Sequence, residues 1–142
     1  MNQKRIIVFC LAAVLLLTAF GCKAKEEPKQ EARASIADGT YTVELTMEGG
    51  TGKAKIASPA RVAVTNGKIA VTFVWSSANY DYMLVGGQKL LPEYIDGHSV
   101  FTVPVETLDA PLAVIADTVA MSTPHEIEYT ITFDASTLTP EA

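Results

Sequence analysis

From Asp38 to Asp134 apolar side chains return at every second position, in short runs cut by glycine, proline and asparagine. A helix buries positions three and four apart, so a period of two leaves it no stripe to pack. "TYTVELTM" puts Tyr41, Val43, Leu45 and Met47 on one side. "EIEYTITF" does the same with Ile127, Tyr129, Ile131 and Phe133. Between them, Lys53 to Ile56, Ala60 to Thr65, "KIAVTFVW", "YMLVGGQKLLP", "HSVFTVPV" and "PLAVIADTV" read as further strands. Asn66-Gly67 signals a two-residue hairpin, because a type I′ turn needs positive φ at both central residues. Gly86-Gly87 marks the tip of another. Pro104 inside its run predicts an edge or a bulge. The consecutive apolar residues of "PLAVIAD" predict a strand covered on both faces. The pattern is that of an all-β domain, an antiparallel sandwich or barrel of about eight strands over residues 37–135, with 136–142 as a tail.

The first residues read differently. Lys4 and Arg5 precede an uncharged apolar run from Ile6 to Phe20, which ends in "AFGC". A small residue before a cysteine at the end of such a run is the signature of a lipoprotein signal peptide, residues 1–21. Ala19 stands where leucine is commonest, and an uncleaved membrane anchor is the alternative. On the lipoprotein reading Cys22 carries the acyl chains, and two chains anchor stably where one does not. "KAKEEPKQEARAS" then forms a flexible tether within residues 22–36. The domain is expected on the extracellular face of the cell membrane, held by lipid. Cys10 and Cys22 are the only cysteines, so the exported domain has no disulfide to hold it. The whole chain carries 11 basic and 16 acidic residues, a net of −5. Loss of Lys4 and Arg5 makes the remainder more acidic, and no basic stripe suggests nucleic acid.

Enzymatic motifs are absent: there is no phosphate-cradling glycine loop, no nucleophile elbow and no zinc-protease helix. The domain reads as non-catalytic. Asp81, Asp96, Asp109 and Asp117 fall at turns or strand ends, where Asp serves the backbone. Two stretches suit a ligand better. "WSSANYDYM" gathers Trp75, Ser76, Ser77, Tyr80, Tyr82 and Met83 at a turn; these give flat contact area and a polarisable surface. Trp75 reads equally as core, with the tyrosines capping the sandwich. "HEIEYTITFD" places His125 and Tyr129 on one strand face, about 13 Å apart. His125 can ligate a metal, or it can be a strand-entrance histidine above a core tyrosine. Met121, His125 and Met83 are of the types that hold copper. His98 reads as an exposed turn residue.

The span from Asp38 to Asp134 resembles the NEAT (near-transporter) domains of Gram-positive surface proteins. "DGTYTV" is similar to their start, and "SPARVAVTNGKIAVTF" to their second and third strands. "WSSANYDYMLVGG" looks like their serine-rich aromatic lip and following hairpin, and "HEIEYTITFD" like the eighth strand with its Tyr-x-x-x-Tyr. The resemblance implies an immunoglobulin-like sandwich that binds haem. It implies His125 in place of the iron-ligating tyrosine and Tyr129 in place of its partner. It implies Ser76 and Ser77 on the propionates, with Tyr82 and Met83 packing on the ring. Imidazole is a good haem ligand. The expected role is capture of haem, or a related iron-bearing molecule, and its delivery to an ABC transporter. A module binding an envelope protein through Tyr80 and Tyr82, and a copper-binding lipoprotein, are the alternatives.

Overall fold

The computed structural model describes Ser35–Ala142; the signal peptide, Cys22 and nearly all of the tether lie outside the described residues. Nine strands follow one another: β1 (Gly39–Gly49), β2 (Ala60–Thr65), β3 (Lys68–Val74), β4 (Tyr80–Val85), β5 (Gln88–Leu90), β6 (Glu93–Ile95), β7 (His98–Val105), β8 (Leu112–Thr118) and β9 (His125–Pro140). All pair antiparallel in the order β5-β4-β8-β9-β1-β2-β3-β7-β6. The sheet curls on itself, so β3 and β9 meet across the core, where Phe73 stacks on Phe133 at 6.2 Å between centroids.

The long β1 joins the two halves. Its first residues pair with β2 on one edge, Tyr41 against Val62, while β9 follows the other edge from Tyr41, opposite Pro140, to Gly49, opposite Tyr129. A register shift lies within the β9 pairing: Thr42 is opposite Thr139 and Glu44 opposite Asp134, so the extra residues bulge out of β9. Three hairpins close on left-handed pairs: Asn66-Gly67, Gly86-Gly87 and Asp96-Gly97. The Asp38 carboxylate accepts from the amides of Asn66 (2.9 Å) and Gly67 (3.2 Å), so the start of the domain is tied to the first of these turns.

The strand reading needs four corrections. Lys53 to Ile56 contributes only one bridge, Ile56 to Trp75, because a glycine-rich turn and Pro59 flank it. Asp96-Gly97 makes the hairpin that creates β6. Residues 136–140 are no tail: β9 runs to Pro140, which lies opposite Tyr41. "PLAVIAD" is not covered on both faces, since Ala113 is exposed and Ile115 half-buried. Pro104 behaves as expected. It pairs with Ala70 of β3, while β6 on its other flank reaches only to Val100.

The core is densest around Trp75, which is completely buried. Its indole lies 4.0 Å from the Tyr80 ring and 5.3 Å from the Tyr129 ring, stacked on the first and edge-on to the second. Its Nε1–H donates to the Met83 sulfur at 3.4 Å. Ser99, also fully buried, donates its hydroxyl to the Tyr80 carbonyl (2.8 Å) and accepts from the Tyr80 amide (3.2 Å). That one hydroxyl fixes the backbone of β4 where it enters the core. Trp75→Ala is expected to cost about 3–5 kcal/mol, measured by urea unfolding followed in the far ultraviolet. A loss below about 1 kcal/mol would show that the cluster can collapse around the gap.

Candidate functional site

Strand alternation sorts β9 into two faces. His125, Ile127, Tyr129, Ile131 and Phe133 share the core side. Glu126, Glu128, Thr130 and Thr132 share the other. The register extends these faces across the sheet. His125 stands beside Thr118, which stands beside Tyr80, and all three share the core side. The next core row is Ile127, Ala116 and Met83; the row beyond is Gly49, Tyr129, Val114 and Val85.

Burial separates the two residues expected to act together. His125 is exposed and lies where β9 leaves the β8–β9 hairpin. Tyr129 is only 3% exposed. The turn after β1 covers it: a Cβ on Gly50 would meet the Tyr129 hydroxyl at 3.1 Å and Ile127 at 3.3 Å. A Cβ on Gly49 would collide with the Glu128 carbonyl. Both glycines have positive φ, 122° and 60°, so only glycine makes this close approach at low cost. The phenol belongs to the Trp75 cluster, and burial raises its pKa. Burial also pushes the Tyr80 phenol up to about 12, with the neighbouring Tyr129 adding to it.

The "WSSANYDYM" segment does reach the end of the sheet that holds His125, since the Asn79 carbonyl accepts from the Val119 amide at 2.7 Å. It does not form an exposed lip. Tyr80 is buried and Met83 completely so. Ser76 accepts from the Lys55 amide and Ser77 from the Asn79 amide, so both hydroxyls are engaged by nearby backbone. Tyr82 points to the face opposite Met83. A histidine missed as structural is His98: it is half-buried, and its Nδ1 donates to the Trp75 carbonyl at 2.7 Å. Met83 also cannot join Met121 and His125 on copper while it sits under the indole. Among the described residues no three His, Cys, Asp or Glu side chains are grouped to hold a metal ion.

A polar cluster that the sequence did not signal lies on the outer face. β4 carries an irregularity between Tyr80 and Tyr82, and Asp81 is the extra residue. One Asp81 oxygen is buried with no hydrogen-bond partner. Beside it Asp117 is 3% exposed. Burial holds the Asp117 carboxyl above the usual range; a hydrogen bond with Asp81 and the charges of Asp81 and Glu126 push the same way, and Lys89 opposes them. A protonated Asp117 can supply the donor that Asp81 lacks. Tyr82 donates to Glu126 at 2.7 Å, a bond that pushes the phenol up to about 12. The Lys89 ammonium sits 3.6 Å above the Tyr82 ring.

No family model and no curated protein matches this chain. Solved structures do. The NEAT5 domain of IsdX2, a B. anthracis hemophore in complex with heme, superposes with a TM-score of 0.55 at 18% identity; the match covers 69% of this chain and 97% of that domain. The fold is NEAT-like. A point mutant of the same domain, also in complex with heme, gives the same TM-score and identity, with 70% of this chain covered. The NEAT-like unit therefore spans nearly all of the described residues, as an immunoglobulin-like sandwich.

The Asp81–Asp117 pair gives a signed prediction. A raised folded-state pKa means stability present at low pH and lost as pH rises through that value. Asp117→Asn keeps a donor at every pH. Its melting temperature minus that of the wild type should therefore climb by a few degrees between about pH 4 and about pH 8, starting from an ordinary Asp value of about 3.9. A difference that stays flat or falls would contradict a shared proton.

Proposed function

We propose that this chain is a lipid-anchored envelope protein, held through Cys22 on the extracellular face of the membrane, whose NEAT-like domain binds haem and passes it to components of an ABC transporter. The exposed imidazole of His125, on the last strand of a NEAT-like fold, is the observation that carries the reading. Neutral imidazole is a common axial ligand of haem iron. Around it the chain offers the surface that a porphyrin face needs. Ile127 is half-buried on the same strand face. Val119 and Met121 at the hairpin tip are 43% and 70% exposed. Tyr129 is withdrawn under the Gly49–Gly50 turn, so the iron would meet His125 alone on this strand. Haem supplies a coordination site when bound; the chain supplies the ligand, the apolar rim and the turn that seals the core beneath.

A second reading has its own observation. Leu91, Tyr94 and Ile95 are 73%, 58% and 46% exposed on and beside the edge strand β6. Aromatic and aliphatic residues on an edge suit a protein partner better than Tyr80 does from inside the core. The two readings part in one experiment. Haemin added to the chain should give a shifted Soret band, with affinity reduced at least tenfold in His125→Ala and little changed in Tyr94→Ala. Absence of any Soret change with wild type would sink the haem reading. A partner from envelope extract lost only in Tyr94→Ala would favour the second.

A further inference from the structure

The face of the sheet turned away from His125 and Tyr129 holds a groove of about 560 Å³, within the range of small-molecule sites. The register explains its shape. One wall is the row Glu48, Thr130 and Ala113; the other is Glu128, Ile115 and Leu84. The row between them, Gly49, Tyr129 and Val114, turns its side chains to the core or has none. Main chain therefore forms the floor. At the β4 end the first wall is continued by Gly86 and Gly87, where an added Cβ would meet nothing within 4 Å. Small residues thus keep the groove open across four strands, a length of about 14 Å at ordinary strand spacing.

Its chemistry is one-sided. Leu84, Ile115 and Ala113 make the β8–β4 end apolar. Glu48 and Glu128 stand at the β1–β9 end, both exposed and neither in a salt bridge among the described residues. No cation lines the groove. Lys89, the residue opposite Leu84, is drawn aside over the Tyr82 ring. We propose that this groove is a binding site for organic cations with a flat or extended apolar body, the ammonium lying between Glu48 and Glu128 and the body on Ile115 and Leu84. The carboxylates provide charge complementarity for an amine and repel an acid of the same shape. Glu48 lies opposite Thr130, so it and Glu128 are diagonal neighbours on adjoining strands, and an ammonium between them is attracted by both.

Tryptamine, tryptophol and indole-3-acetate share one apolar body and differ in charge. Backbone amide shifts of the whole chain, titrated with each, test the proposal. Tryptamine should move amides of Glu48, Ile115 and Glu128, with an affinity at least tenfold above tryptophol and no measurable binding of the acid. Glu128→Gln should weaken tryptamine at least tenfold. Ala113→Phe, an outward substitution that fills the groove, should abolish binding while the far-ultraviolet spectrum stays unchanged. Equal binding of the three compounds, shifts centred elsewhere, or no tryptamine binding would each overturn the assignment. The result is independent of haem, because Ala113→Phe lies on the opposite face and should leave the haemin spectrum as in wild type.

Discussion

The burial of Trp75 sets the terms for the rest of the domain. No disulfide is available to it, so the joint between the two halves of the curled sheet must be held by packing. One indole does this by touching three residues from two strands at once: Tyr80 and Met83 from β4, and Tyr129 from β9. Aromatic pairs of this kind contribute beyond their buried area. A consequence is that Tyr129 cannot be both a core residue and a ligand. Gly49 and Gly50 complete the arrangement, since a Cβ on Gly49 would collide with the Glu128 carbonyl and one on Gly50 would crowd the phenol.

Alternation then divides β9 between two tasks. Its core side runs from a buried half, Phe133 to Tyr129, to an exposed end at His125. Its outer side places Glu126 in a hydrogen-bonded polar cluster and Glu128 at the groove. The two proposed sites fall on opposite faces of one strand because its side chains alternate with a period of two, without any extra segment. The bulge at Asp81 serves the same economy. It lets Tyr80 point inward and Tyr82 outward although they are two residues apart, a spacing that would otherwise put both on one face.

Much of this fold was legible in the sequence because its signals are local. Asn66-Gly67 and Gly86-Gly87 dictate their turns, and the alternating runs dictate which face is buried. What could not be read was anything set by contacts distant along the chain. Lys53 to Ile56 has the residues of a strand, but only Ile56 finds a partner. Residues 136–140 look like a polar tail, yet β9 continues through them and Thr139 and Pro140 pair with Thr42 and Tyr41 of β1. The "WSSANYDYM" segment has the composition of a surface lip, and composition does not say that Trp75 and Met83 face inward. The consecutive apolar residues of β8 were a visible clue. Their meaning, a half-covered groove rather than a second buried face, depends on Gly86-Gly87 lying alongside. The carboxyl pair Asp81–Asp117 needed the bulge, which leaves no mark on the sequence.

The core takes the tyrosine, 3% exposed, and leaves the histidine exposed, where we propose it meets the haem iron. Resonance Raman spectra of the ferric haem complex test this most directly, because iron bound to phenolate and iron bound to imidazole vibrate differently. Wild type should show no iron–phenolate band, and Tyr129→Phe should give an identical spectrum. A phenolate band that disappears in Tyr129→Phe would mean that the turn at Gly49–Gly50 opens and that Tyr129, not His125, is the ligand.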